Sequence, residues 1–161
     1  MDGGMSEAGA RAPAPREKAV RRTVEITKRC EFSACHRLYN PEFSEQKNRE
    51  VFGICANPNG HGHNYVLEVT VRGRPDLQTG YVLDLGELKR ILERAVVGPC
   101  DHRNLNKDVG FLSGTIPTTE NLVVAFWRRI APRIKAGELH CVRLYETPRN
   151  FAEYLGPGRQ Q

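Results

Sequence analysis

From His61 to Arg72 the chain alternates, with Tyr65, Leu67, Val69 and Val71 on one parity and Glu68, Thr70 and Arg72 on the other. Side chains of an extended strand leave its two faces in turn, so a run of this length predicts a long strand with one buried face. The chain starting at Thr23 behaves the same way. Val24, Ile26, Cys30, Phe32 and Ala34 share one parity, interrupted by Lys28, while Thr23, Glu25, Thr27, Arg29 and Glu31 fill the other. Two such strands need a cover for their apolar side, and helices follow in the sequence. Asp84 with Glu87 reads as a capping box for a helix bearing Leu85, Leu88, Ile91, Leu92, Ala95 and Val96, stopped by Gly98-Pro99. Thr118 or Thr119 caps a second helix bearing Leu122, Val123, Phe126 and Ile130, with Pro132 near its end. Strands over 139–146 and 151–155 complete a ββααββ order, and the fold class is α+β. The connection 37–60 is long for a hairpin and holds a short helix over 44–52; connections of that length are often functional.

Composition narrows the classes. A chain of 161 residues with 39% hydrophobic residues supports one domain, over 23–161. Residues 1–22 are rich in Ala, Gly, Pro and Arg without apolar periodicity, and read as a disordered leader. The net charge of +5 is not gathered into a basic stripe, which argues against nucleic acid as a partner. A mild positive balance suits an anionic small molecule. No apolar run approaches the ~20 residues of a membrane span. The five cysteines are odd in number and lack CxxC spacing, so reduced thiols in a cytoplasmic protein are the simplest account.

His61 and His63 stand at i and i+2, so their imidazoles share a face, and that face is the buried one of Tyr65, Leu67 and Val69. His36 continues the apolar parity of Phe32 and Ala34. A single buried histidine is more often a satisfied core residue than a ligand. Three crowded on one face would need many donors and acceptors, a demand that a metal removes. Three neutral imidazoles with an open fourth position describe a catalytic zinc site, with His36, His61 and His63 as ligands.

At these residues the sequence resembles the 6-pyruvoyl-tetrahydropterin synthase family. The resemblance rests on Phe32-Ser33-Ala34-Cys35-His36-Arg37-Leu38 and on Phe52-Gly53-Ile54-Cys55-Ala56-Asn57-Pro58-Asn59-Gly60-His61-Gly62-His63-Asn64-Tyr65. Asp101-His102-Arg103-Asn104-Leu105, Pro117-Thr118-Thr119-Glu120-Asn121 and Leu144-Tyr145-Glu146-Thr147 continue it in the same order. It implies a tunnelling fold, in which ββααββ subunits join their antiparallel sheets into an oligomeric barrel, trimers stack into hexamers, and the sites lie between subunits. A four-stranded sheet leaves two open edges, which ring closure would remove.

The implied activity is a zinc-dependent lyase reaction on 7,8-dihydroneopterin triphosphate that releases triphosphate and gives 6-pyruvoyl-tetrahydropterin. By the same resemblance Cys55 is the general base and Asp101-His102 a second acid–base pair; otherwise they read as a small buried thiol and as turn residues. Glu146 lies on the inward parity of Val142 and Leu144, and the family uses such a carboxylate to hold the pterin ring. Glu120 with Thr118 and Thr119 is a second recognition cluster, although Thr-Thr-Glu also reads as plain helix capping. A related branch turns the same substrate into 6-carboxy-tetrahydropterin. That branch typically has three residues between its cysteine and its HGH, where this chain has five, Ala56 to Gly60, which points to the pyruvoyl product. Two other classes fit less well. His61-x-His63-x4-Glu68 resembles a cupin dioxygenase motif, but Glu68 has the wrong parity. A pterin-binding module without activity should have lost Cys55 or Asp101-His102.

Overall fold

The computed structural model describes residues 22–158, so the leader expected over 1–22 lies almost wholly outside the described residues. Strand β1 (Val24–His36) pairs antiparallel with β2 (His61–Gly73) along its whole length, from Val24 opposite Gly73 to His36 opposite His61. β4 (Glu138–Thr147) continues the sheet beside β2, and β5 (Asn150–Tyr154) closes it as a hairpin. The sheet carries a fifth strand that no alternation announces. β3 (Arg103–Asn104) is two residues long and runs parallel to β1 at Ala34 and Cys35, giving the order β3-β1-β2-β4-β5. Its bonds go to one main-chain edge, so side-chain pattern does not encode it.

The apolar parities all meet on one face. Phe32, Tyr65, Leu67, Val69, Val71, Val142 and Leu144 from the sheet are buried with Leu88 and Leu92 of α2 (Leu85–Leu92) and with Leu122, Val123, Phe126 and Ile130 of α4 (Thr119–Ile130). Phe32 stacks on Tyr65 with centroids 5.1 Å apart and meets Phe126 edge-on at 6.1 Å. Burying one such side chain contributes about 1.5–3 kcal/mol, so this two-layer core is what fixes the sheet against the helices. The opposite face is polar, with Thr27 and Thr70 hydroxyls 2.8 Å apart and Arg143 bonded to Glu153 at 2.7 Å.

Both expected helix caps form. Asp84 accepts from the Glu87 amide and Thr118 from the Asn121 amide. Gly98-Pro99 does not stop the first helix, however. The Gly98 amide reaches back five residues to Glu93 O, a π-turn over Glu93–Val97, and α3 (Gly98–Cys100) carries the chain one turn further. Pro99 then stands in the first turn of that segment, where its missing N–H is no loss.

The long connection holds α1 (Glu45–Phe52), capped by Ser44, whose hydroxyl accepts from the Lys47 amide at 3.1 Å. Gly53, at φ 58, ends α1 and starts a 3-10 turn, Gly53–Ala56, that carries Cys55. Gly60 at φ 70 then turns the chain into β2. A Cβ there would lie 2.7 Å from His36 O, so only glycine lets this turn pass the end of β1.

Candidate metal centre and active site

The β1–β2 register makes the site. His36 and His61 are direct cross-strand partners, and His63 is two residues further along the same face, opposite Ala34. One ligating nitrogen from each of His36, His61 and His63 lies within 4.8 Å of the others. His36 is fully buried, and its Nδ1–H donates to Pro117 O at 2.9 Å, which leaves the Nε2 lone pair aimed into the cluster. That Nε2 stands 3.1 Å from His61 Nε2. Two imidazole lone pairs at such a distance repel unless a proton or a cation lies between them.

Glu146 Oε1 is 3.4 Å from His36 Nε2 and 3.3 Å from His63 Nε2. Even so, His63 Nε2 is buried without a hydrogen bond. An orphaned buried nitrogen costs about 1–3 kcal/mol, and coordination would satisfy it. Burial pushes the pKa of both His36 and His63 down, and the Glu146 charge only partly opposes that. Neutral imidazoles are the form that binds metal. Donor type, tautomer, neutrality and the orphaned nitrogen all fit a divalent zinc-like ion.

Around this cluster the other expected residues divide. Cys55 lies near enough to Glu146 for the carboxylate to add to the effect of burial, and both push its thiol up. Tyr65 is buried beneath the ring cluster, its hydroxyl 3.3 Å from His36 Nδ1. The start of α4 touches the site through the Pro117 carbonyl, while the Thr118 hydroxyl caps the helix, Thr119 is half-buried and Glu120 is exposed.

Asp101 and His102 are anchored on the main chain of β1. The Asp101 carboxylate accepts from the Ser33 amide at 2.9 Å and from His102 Nδ1 at 2.9 Å, and these bonds hold it below the usual carboxylate range. The His102 amide donates to Ser33 O. His102 adopts φ 56, a left-handed conformation unusual for a residue with a Cβ, and its side chain is 82% exposed. It lines a concavity of about 550 Å³ with Ser33, Cys35 and Asn64, and His63 of the imidazole cluster lines the same concavity.

Sequence reasoning missed three features here. Pro117 acts through its carbonyl, which side-chain patterns do not report. Glu146 closes on the imidazoles, and its inward parity alone was readable. Tyr65 was visible only as a core aromatic.

Comparison with known proteins follows the same outline. The family model described as 6-pyruvoyl tetrahydropterin synthase matches residues 25–157. The chain is 49% identical over 133 residues to 6-pyruvoyl tetrahydrobiopterin synthase of Drosophila melanogaster, covering 82% of this chain and 79% of that one. It is 43% identical to the protein of the same name from Homo sapiens, with 83% and 92% covered. Among solved structures, that of Caenorhabditis elegans 6-pyruvoyl tetrahydropterin synthase superposes with a TM-score of 0.80 at 39% identity, covering 84% of this chain and 96% of that chain.

Proposed function

Since the chain belongs to the 6-pyruvoyl tetrahydropterin synthase family, we infer that it converts 7,8-dihydroneopterin triphosphate into 6-pyruvoyl-tetrahydropterin with release of triphosphate, as a lyase. What carries this reading is the family match over 25–157, which takes in all three histidines, Cys55, Asp101-His102 and Glu146. Zinc held by His36, His61 and His63 would supply Lewis-acid polarisation of the substrate's side-chain hydroxyls.

Cys55 is the group we assign to proton removal from the adjacent carbon. Burial and Glu146 oppose its ionisation in the chain alone, so the thiolate depends on positive charge brought into the site. Glu146 is assigned to the guanidine-like edge of the pterin; its approach to His36 and His63 supports a role inside the site. Glu120, Thr118 and Thr119 form the second recognition cluster, supported by the contact of Pro117 with His36. A cytoplasmic location is part of the reading, in keeping with five free thiols.

We further assign the Asp101-His102 pair of one copy to the Cys55 of a neighbouring copy, in a homo-oligomer built as a dimer of trimers. The 82% exposure of the His102 side chain in the single chain supports it. Co-expressed Cys55→Ala and His102→Ala chains, each inactive alone, should regain about a quarter of wild-type activity by random assortment of copies. No recovery in mixed oligomers confirmed by mass would refute the shared site.

The product is the decisive test of the reaction. Anaerobic incubation with 7,8-dihydroneopterin triphosphate should give 6-pyruvoyl-tetrahydropterin and triphosphate by mass spectrometry. Predominant 6-carboxy-tetrahydropterin with acetaldehyde would overturn the assignment. The five residues between Cys55 and His61, closed by a Gly60 amide bond to Asn57 O at 2.8 Å, support the pyruvoyl product.

A further inference from the structure

We propose that Arg37 is a positioning residue that locks the turn carrying Cys55 onto the metal-binding strand; this rests on the reading of Cys55 as the base. Arg37 follows the ligand His36 directly. Its main chain is clamped by one side chain, since its N–H donates to Asn106 Oδ1 at 2.7 Å and its carbonyl accepts from Asn106 Nδ2 at 2.9 Å. From that anchored backbone the guanidinium reaches two other elements. Nε donates to Ala56 O at 2.8 Å, at the end of the 3-10 turn and one residue from Cys55. Nη2 donates to Glu45 Oε2 at 2.8 Å, in the first turn of α1. The guanidinium carbon also stands 4.5 Å from the centroid of the Tyr39 ring.

These contacts differ in weight. Glu45 is 59% exposed, and an exposed ion pair contributes little, about 0–1 kcal/mol. The bond to Ala56 O is charge-assisted, and the Arg37 side chain is only 17% exposed, so this contact carries the tie. A tie is needed because α1 has eight residues, too few to hold a shape alone. The Leu38 amide bond to Cys55 O at 2.9 Å closes the same joint from the other side. Lysine could reach one of the two acceptors but not both, since only the planar fork spans them.

The test uses Arg37→Gln, Arg37→Lys and Glu45→Gln in the full-length zinc-loaded protein. Each is measured for kcat, KM, zinc content and hydrogen exchange of the amides over 38–60. Arg37→Gln should lower kcat by about 10- to 100-fold, the scale of an ångström-sized misplacement, while KM and zinc content hold. Exchange at Leu38 and through the Cys55 turn should accelerate. Arg37→Lys should recover part of the rate, and Glu45→Gln should stay within about threefold of wild type because the Ala56 bond remains. If Arg37→Gln does not fold, the lysine and Glu45 variants carry the same comparison. Wild-type kcat in Arg37→Gln, or a lower kcat with unchanged exchange over 38–60, would overturn the proposal. Cys55→Ala in parallel separates the two levels. An active Cys55→Ala removes the base reading and the positioning role with it. An inactive Cys55→Ala beside a fully active Arg37→Gln refutes the positioning role alone.

Discussion

Alanine at His63 is expected to weaken zinc binding by at least about a hundredfold, and on dialysis against a chelator the variant should lose its metal while wild type should keep roughly one ion per chain. The magnitude follows from sharing the binding energy among ligands. Protein zinc sites bind with about 10–16 kcal/mol, so each of three or four ligands accounts for some 3–4 kcal/mol. His63 is the informative position because its buried Nε2 has no hydrogen bond to lose. Removing it relieves an unsatisfied group, so the fold should survive the change. His36 is a less clean choice, since it is fully buried and bonded to Pro117 O. Metal analysis of His63→Ala decides the matter, and retained zinc at wild-type affinity would dismiss the three-histidine site.

The second large effect separates chemistry from binding. Cys55→Ala is expected to lower kcat by about 10²- to 10⁴-fold, the usual range for a removed general base, while zinc content stays near one per chain. Cys55 is not among the clustered imidazoles, so its loss leaves the donor set whole. It sits on a 3-10 turn whose conformation rests on main-chain bonds and on Gly53, none of which needs a thiol. Glu146→Ala should instead raise KM for the pterin. Steady-state kinetics with metal analysis on the same samples check both, and wild-type turnover without Cys55 would send the search for the base elsewhere.

Much of this could be read from residue order alone. The alternation over His61–Gly73 and Val24–His36 gave both long strands, and the phase of His36 with Phe32 and Ala34 put the three imidazoles on one face. Those signals are local and periodic, so a sequence displays them. What stayed hidden depends on contacts between distant main-chain atoms. β3 exists because a two-residue segment finds the free edge of β1. The helix passes Gly98-Pro99 because one amide shifts its partner from four residues back to five. Asp101 and His102 are adjacent and chemically suggestive, but their anchoring beside β1 comes from bonds to the Ser33 main chain.

The pairing of β1 with β2 also gives the site a second meaning. Its three nitrogens come from two strands separated by a 24-residue connection, and they meet only when His36 lies opposite His61. A one-residue slip would send one strand's imidazoles to the far side of the sheet. A slip of two residues would keep the face but move His36 by about 7 Å relative to the other two, well outside the 4.8 Å cluster. An ion bound by all three imidazoles thus certifies the alignment of the two longest strands. Metal uptake during refolding would then act as a proofreading event, with misaligned hairpins left as the fraction that cannot be charged.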